Sequence, residues 1–159
     1  MQNRPRQARP SNIFSSIHSG GRVPLLEDDT SIEHLLGSAR TIAVVGLSDK
    51  PYRDSHTIAR YLLDRGYTIY PVNPAVTSVL GLACYKDLRS IGRPVDIVDV
   101  FRKPEAVLSV VEDAHEAGMK TIWFQLGVAH PTATARALEL GLRIVKDRCI
   151  MVEHRRLVA

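Results

Sequence analysis

Only two cysteines and one tryptophan occur in 159 residues. Cys84 and Cys149 lie far apart and form no C-x-x-C pair, which excludes a disulfide scaffold and a thiolate metal knuckle. Reduced thiols in the cytoplasm are the expectation. Long hydrophobic runs are also missing. The longest apolar stretch, Ile42 to Leu47, is far too short to cross a bilayer, and the Arg- and Pro-rich start has no secretory core. Acidic residues are absent from positions 1–24, which hold four of the 21 basic residues (Arg4, Arg6, Arg9 and Arg22). The other 17 basic residues equal the 17 acidic ones, so the net charge of +4 belongs to the leader. A neutral body lacks the field that duplex binding exploits. Neither nucleic acid nor a membrane is expected as a partner.

Catalytic signatures are scarce as well. No G-x-S-x-G elbow is present. Cys149, Glu153 and His154 do not have a zinc spacing, and they read as a buried cysteine and a solvated tail. No catalytic residue and no metal ligand is assigned. The dinucleotide fingerprint G-x-G-x-x-G, with an acid about 20 residues further on, is missing in both halves. One glycine precedes Leu47-Ser48-Asp49-Lys50-Pro51, and the next strand ends in Val72-Asn73-Pro74.

What is present is a regular alternation. Residues 1–29, with Pro5, Pro10 and Gly20-Gly21, read as a flexible extension, and 30–159 as one domain. Thr30-Ser31-Ile32-Glu33 fits a capping box. Apolar runs predict strands at Thr41–Val45, Tyr67–Val72, Val95–Phe101, Thr121–Gln125 and Leu142–Val145. Helical patterns fill Ser55–Arg65, Pro104–Ala117 and Pro131–Leu140, closed by Gly66, Gly118 and Gly141; Asp87–Ile91 is a short helical turn. Continuous apolar strands alternating with helices predict a parallel sheet covered on both faces. The fold class is α/β, a Rossmann-like doubly wound three-layer sandwich of about five strands, with the expected order 3-2-1-4-5. Ligands of such sheets bind beyond the C-terminal strand ends, which in that order places the crevice at strands one and four.

The residues after each strand therefore carry the function. Gly46 lets a ligand approach the backbone. Ser55 reads as the N-cap of a helix whose free N–H groups suit a phosphate, and Arg53 offers a guanidinium fork. Asp99, on a buried strand, requires a partner, for which Arg102, Arg53 or Arg148 is the candidate in a structural ion pair. Gln125 can bond a ligand amide, and Gly127 leaves room.

Taken in order, Val-Val-Gly-Leu-Ser, Lys-Pro-x-Arg-x-Ser, Tyr-Pro-Val-Asn-Pro, Val-Asp-Ile-Val-Asp-Val-Phe-Arg, Trp-Phe-Gln-Leu-Gly-Val and Asp-Arg-Cys resemble the stand-alone CoA-binding domain proteins. Those in turn resemble the N-terminal domain of the succinyl-CoA synthetase α subunit. The likeness covers about residues 30–157. It implies that coenzyme A or an acyl-CoA lies across the strand ends. Gly46, Leu47 and Ser48 would line it, and Arg53 and Ser55 would meet its phosphates. Asn73 and Pro74 would border the nucleotide, Phe101 and Arg102 would flank it, and Gln125, Leu126 and Gly127 would close the far side. The synthetase's phosphorylated histidine belongs to a further domain, and His130 matches no catalytic motif of the family. The expectation is a binding protein without catalysis, acting as carrier, sensor or partner subunit, and existing as monomer or homodimer. The alternative is an NAD(P)-binding enzyme or redox regulator.

Overall fold

The computed structural model describes residues 24–159. Five parallel strands form the sheet: β1 (Thr41–Val45), β2 (Thr68–Val72), β5 (Ile97–Val100), β6 (Thr121–Phe124) and β7 (Arg143–Lys146). A separate hairpin pairs β3 (Ser78–Val79) with β4 (Leu82–Ala83). Helices α3 (Pro104–Glu116) and α4 (Pro131–Glu139) pack on one face. Helices α1 (Asp29–Ser38), α2 (Asp54–Asp64) and α5 (Ile150–Leu157) cover the other. Strands whose residues are buried on both faces, as β5 and β6 are throughout, are what a doubly covered parallel sheet requires. The α/β Rossmann-like three-layer class is as expected.

The order across the sheet is β2-β1-β5-β6-β7. Counting the five sheet strands along the chain, this is 2-1-3-4-5, and it corrects the expected 3-2-1-4-5. The third strand lies beside the first, on the side away from the second. Two features enforce this. Residues 73–96 contain only the hairpin and one 3-10 turn (Arg89–Ile91), so no long helix carries the chain outward past β2. Instead Tyr85 covers that edge, donating its N–H to Pro71 O at 2.8 Å and accepting from Asn73 N at 2.9 Å. At the other end Asp96 locks β5 to β1. Its Oδ2 accepts from Arg40 N (2.7 Å) and Thr41 N (3.0 Å), and its own N–H donates to Thr41 Oγ1 (2.9 Å). Partial burial alone would raise this carboxyl, but those donors outweigh it and hold the pKa below its ordinary value. The direction of winding thus reverses between β1 and β5, and the crevice opens there rather than at strands one and four.

The domain also begins earlier than residue 30. Leu25 forms a parallel bridge to Ile144, and Leu26 N donates to Ile144 O at 2.8 Å with its side chain buried. Residues 24–29 are therefore part of the packed structure, while the leader reading of residues 1–23 lies outside the described residues. Asp28, not Thr30, caps α1, accepting from Ser31 N at 2.9 Å. The supposed solvated tail is α5. Its Ile150, Glu153 and His154 are buried, with Glu153 held by Arg156 at 2.6 Å and His154 Nδ1 against Tyr61 Oη at 2.7 Å.

One glycine controls the sheet's upper edge. Gly46 turns the chain at φ 84, and a Cβ there would overlap the carbonyl oxygen of Phe101. Gly118 has a similar φ of 77 but open space around it. We expect Gly46→Ala to cost about 2–4 kcal/mol of unfolding free energy. Gly118→Ala should cost about 1 kcal/mol from backbone strain alone. Urea denaturation of both variants measures the difference.

Candidate functional site

The loop leaving β1 is built by its own hydrogen bonds. Gly46 N donates to Val72 O at 2.8 Å, tying the tip of β1 to that of β2. Ser48 N donates to Ser55 Oγ at 3.0 Å, Lys50 N to Ser48 Oγ at 3.1 Å, and Arg53 N to Lys50 O at 3.0 Å. Ser55 is therefore not the N-cap. That position is Arg53, whose side chain makes no capping bond, so the first turn of α2 is left without a side-chain acceptor. Ser55 sits inside the first turn, almost fully buried, and staples the loop from below.

These residues surround a cavity of about 440 Å³ lined by Gly46, Ser48, Lys50, Arg53, Asp54, Ser55 and Phe101. Neither Lys50 nor Arg53 is ion-paired among the described residues, and Arg53 lies 5.7 Å from the ring centroid of Tyr52. Two cations, two hydroxyl-bearing residues and an uncapped helix start converge on one space, the chemistry of an oxyanion cradle. Asp54 supplies the opposing charge. On the other side of Gly46 lies a smaller cavity of about 160 Å³, where Pro74, Lys86 and Arg102 meet Asp87 and Asp113.

The expected site residues fall into three groups. Gly46, Ser48, Arg53, Ser55 and Phe101 come together in the first cavity, and Pro74 and Arg102 in the second. Leu47 and Asn73 are structural neighbours of the site. Leu47 is fully buried, and Asn73 Nδ2 donates to its carbonyl at 3.0 Å while Asn73 Oδ1 accepts from Ala75 N at 2.9 Å. Gln125, Leu126 and Gly127 stand apart, because β5 lies between β1 and β6. Gln125 is buried, Leu126 borders a cavity at the β6 and β7 tips, and Gly127 turns the chain at φ 73. Two lysines outside the expected set, Lys50 and Lys86, also line these cavities. Lys50 was legible from its place between Ser48 and Arg53. Lys86 was not, because it arrives through the pairing of Tyr85 with Pro71.

Asp99 has no ion pair among the described residues. It is fully buried, and Gln125 Nε2 donates to its Oδ1 at 2.5 Å, while Oδ2 has no hydrogen-bond partner among the described residues. Burial pushes this carboxyl up to about 8, against the smaller opposing pull of the Gln125 amide. The expected partners Arg102, Arg53 and Arg148 are elsewhere, Arg148 being bound to Glu27 O at 2.7 Å and near Glu153 at 3.5 Å. Among the described residues no three His, Cys, Asp or Glu side chains gather as a metal site. No described helix is long and apolar enough to cross a membrane.

Residues 40–155 match the family model described as the CoA binding domain. The chain is 39% identical over 123 residues to the uncharacterized protein YneT of Bacillus subtilis, covering 77% of this chain and 91% of that one. A hypothetical protein from Pyrococcus horikoshii OT3 has the same fold at 41% identity and a TM-score of 0.82, over 84% of this chain and 94% of the other. The dinucleotide-forming acetyl-coenzyme A synthetase 1 of Ca. Korarchaeum cryptofilum superposes with a TM-score of 0.59 at 28% identity, over 65% of this chain but 25% of the synthetase.

Asp99 gives a pH test. Its folded-state pKa lies above the unfolded value, so its contribution is complete below about pH 4 and drains away as the pH rises through about 8. The loss is roughly 1 kcal/mol per pH unit across that window. Asp99→Asn mimics the protonated form. Its melting temperature relative to wild type should rise steadily from pH 5 to pH 8, followed by calorimetry.

Proposed function

The chain belongs to the CoA binding domain family, and from that premise we propose that it binds coenzyme A or an acyl-CoA at the β1–α2 cavity without chemistry of its own. One observation carries this reading. Lys50, Arg53, Ser48, Ser55 and the uncapped first turn of α2 face one cavity at the point where the winding of the sheet reverses. Such a cradle holds phosphate oxygens by charge and by N–H and O–H donors together.

In this reading the pyrophosphate rests against Arg53, Ser48 and Ser55. Gly46 allows the ligand to lie against the backbone, and Phe101 offers an apolar flank. Arg102 and Lys86, across Gly46, offer cations to the remaining phosphate, beside Pro74 and opposite Asp87 and Asp113. Leu47 and Asn73 shape the loop from behind. Gln125 and Gly127 support the β6 tip, and Leu126 borders the farther part of the ligand. The NAD(P) alternative is disfavoured by the missing glycine fingerprint and by Asn73 standing where a diol-binding acid is needed. The site's cations and hydroxyls hold and orient a ligand, which fits a carrier, a sensor or a partner subunit. Free thiols at Cys84 and Cys149 fit a cytoplasmic setting.

The test is ligand-linked stability. Coenzyme A at about a hundred times its Kd should add about 2.7 kcal/mol of stability, seen as a rise in melting temperature. Arg53→Ala should weaken binding by about tenfold or more, the loss of a charge-assisted contact, and Arg102→Ala should also weaken it. No shift at millimolar coenzyme A, or tighter binding of NADH in a parallel fluorescence titration, overturns the reading.

A further inference from the structure

A third cavity, of about 460 Å³, opens on the same edge of the sheet, at the tips of β6 and β7 and the start of α5. Its apolar walls are Leu26, Leu126 and Val152. Leu26 is buried, but Leu126 is 65% and Val152 is 49% exposed. Two large apolar side chains left in water around one concavity are what a ligand groove looks like before it is filled.

The walls are held firmly. Leu126 follows Gln125, whose amide is bonded to the buried Asp99. Leu26 is fixed by its backbone bond to Ile144. Val152 projects from α5, which Arg156 joins to α1 through Asp29 at 2.6 Å while also holding Glu153 of its own helix at 2.6 Å.

The charges around this space also select. Glu27, Asp147 and Glu153 line it against Lys146 and Arg148. Arg148 is already engaged by the Glu27 carbonyl and by Glu153, and Glu153 in turn by Arg156, which leaves the Glu27 and Asp147 carboxylates against Lys146. A carboxylate entering here would face more acid than available base.

We propose that this cavity receives the acyl group of an acyl-CoA and favours a short, uncharged chain. The inference rests on the coenzyme A reading of the β1–α2 site. From β1 to β7 there are three strand steps, about 14 Å at the usual spacing. A pantetheine arm is a chain of comparable extended length, so one molecule placing its phosphates beside Arg53 brings its thioester end to the β6 and β7 tips.

Calorimetric titration of the full chain with coenzyme A, butyryl-CoA and succinyl-CoA tests this. Butyryl-CoA should bind about tenfold tighter than coenzyme A, the gain from burying a few methylene groups. Succinyl-CoA should bind no tighter than coenzyme A. Val152→Asp places an acid on an exposed first-turn position that the helix tolerates. It should abolish the butyryl advantage and leave coenzyme A binding unchanged. If coenzyme A binds and all three ligands share one affinity, or succinyl-CoA binds tightest, the acyl assignment fails while the coenzyme A reading stands. If none of the three binds, both fall.

Discussion

The close approach of Gly46 to the Phe101 carbonyl is the constraint on which the upper edge of the domain depends. Phe101 N donates to Val45 O at 2.8 Å, drawing the end of β5 against the end of β1. With any side chain at Gly46 the two tips would have to part. Because they meet, the loop after β1 turns sharply toward α2, and the cradle forms on one side of the contact and the Pro74–Arg102 cavity on the other. A missing atom thus sets the geometry for two groups of cations that lie far apart in the sequence.

Much of the architecture is legible in local signals. The strand runs, the proline near the start of α3 and the glycines after α2, α3 and α4 mark the elements because each signal acts within a few residues. The strand order is not legible in this way. It depends on Asp96 reaching the amides that begin β1, and on Tyr85 closing the edge of β2. The hairpin turn at Leu80-Gly81 is similarly obscure. Both residues adopt left-handed φ values, 53 and 74, and leucine rarely does so. Helix α5 hides because its inward face includes Glu153 and His154. Their burial becomes affordable only through Arg156 and Tyr61, which are invisible as partners in a linear reading.

The site divides along the same line. Gly46, Ser48, Lys50, Arg53 and Ser55 fall within one short loop, so sequence proximity already brings them together. Phe101 and Arg102 join them because β5 is adjacent to β1. Gln125 reads as a ligand contact because polar residues at strand ends so often are, yet its amide turns inward to a carboxyl that has no cation beside it among the described residues. Which way a side chain points at a strand tip is decided by the unmet needs of the core beneath it, here those of Asp99.

Both margins of the sheet are closed by single bridges, Tyr85 beside β2 and Leu25 beside β7. An open strand edge offers unpaired amides and carbonyls to any other chain. The short segment at Pro24–Leu26 therefore occupies backbone groups of Ile144 that would otherwise stand open on that margin. A shortened chain beginning after Leu26 would bare the β7 backbone and lose the Ile144 pairing. That exposed edge is where another strand could add, three strands away from the cradle at β1.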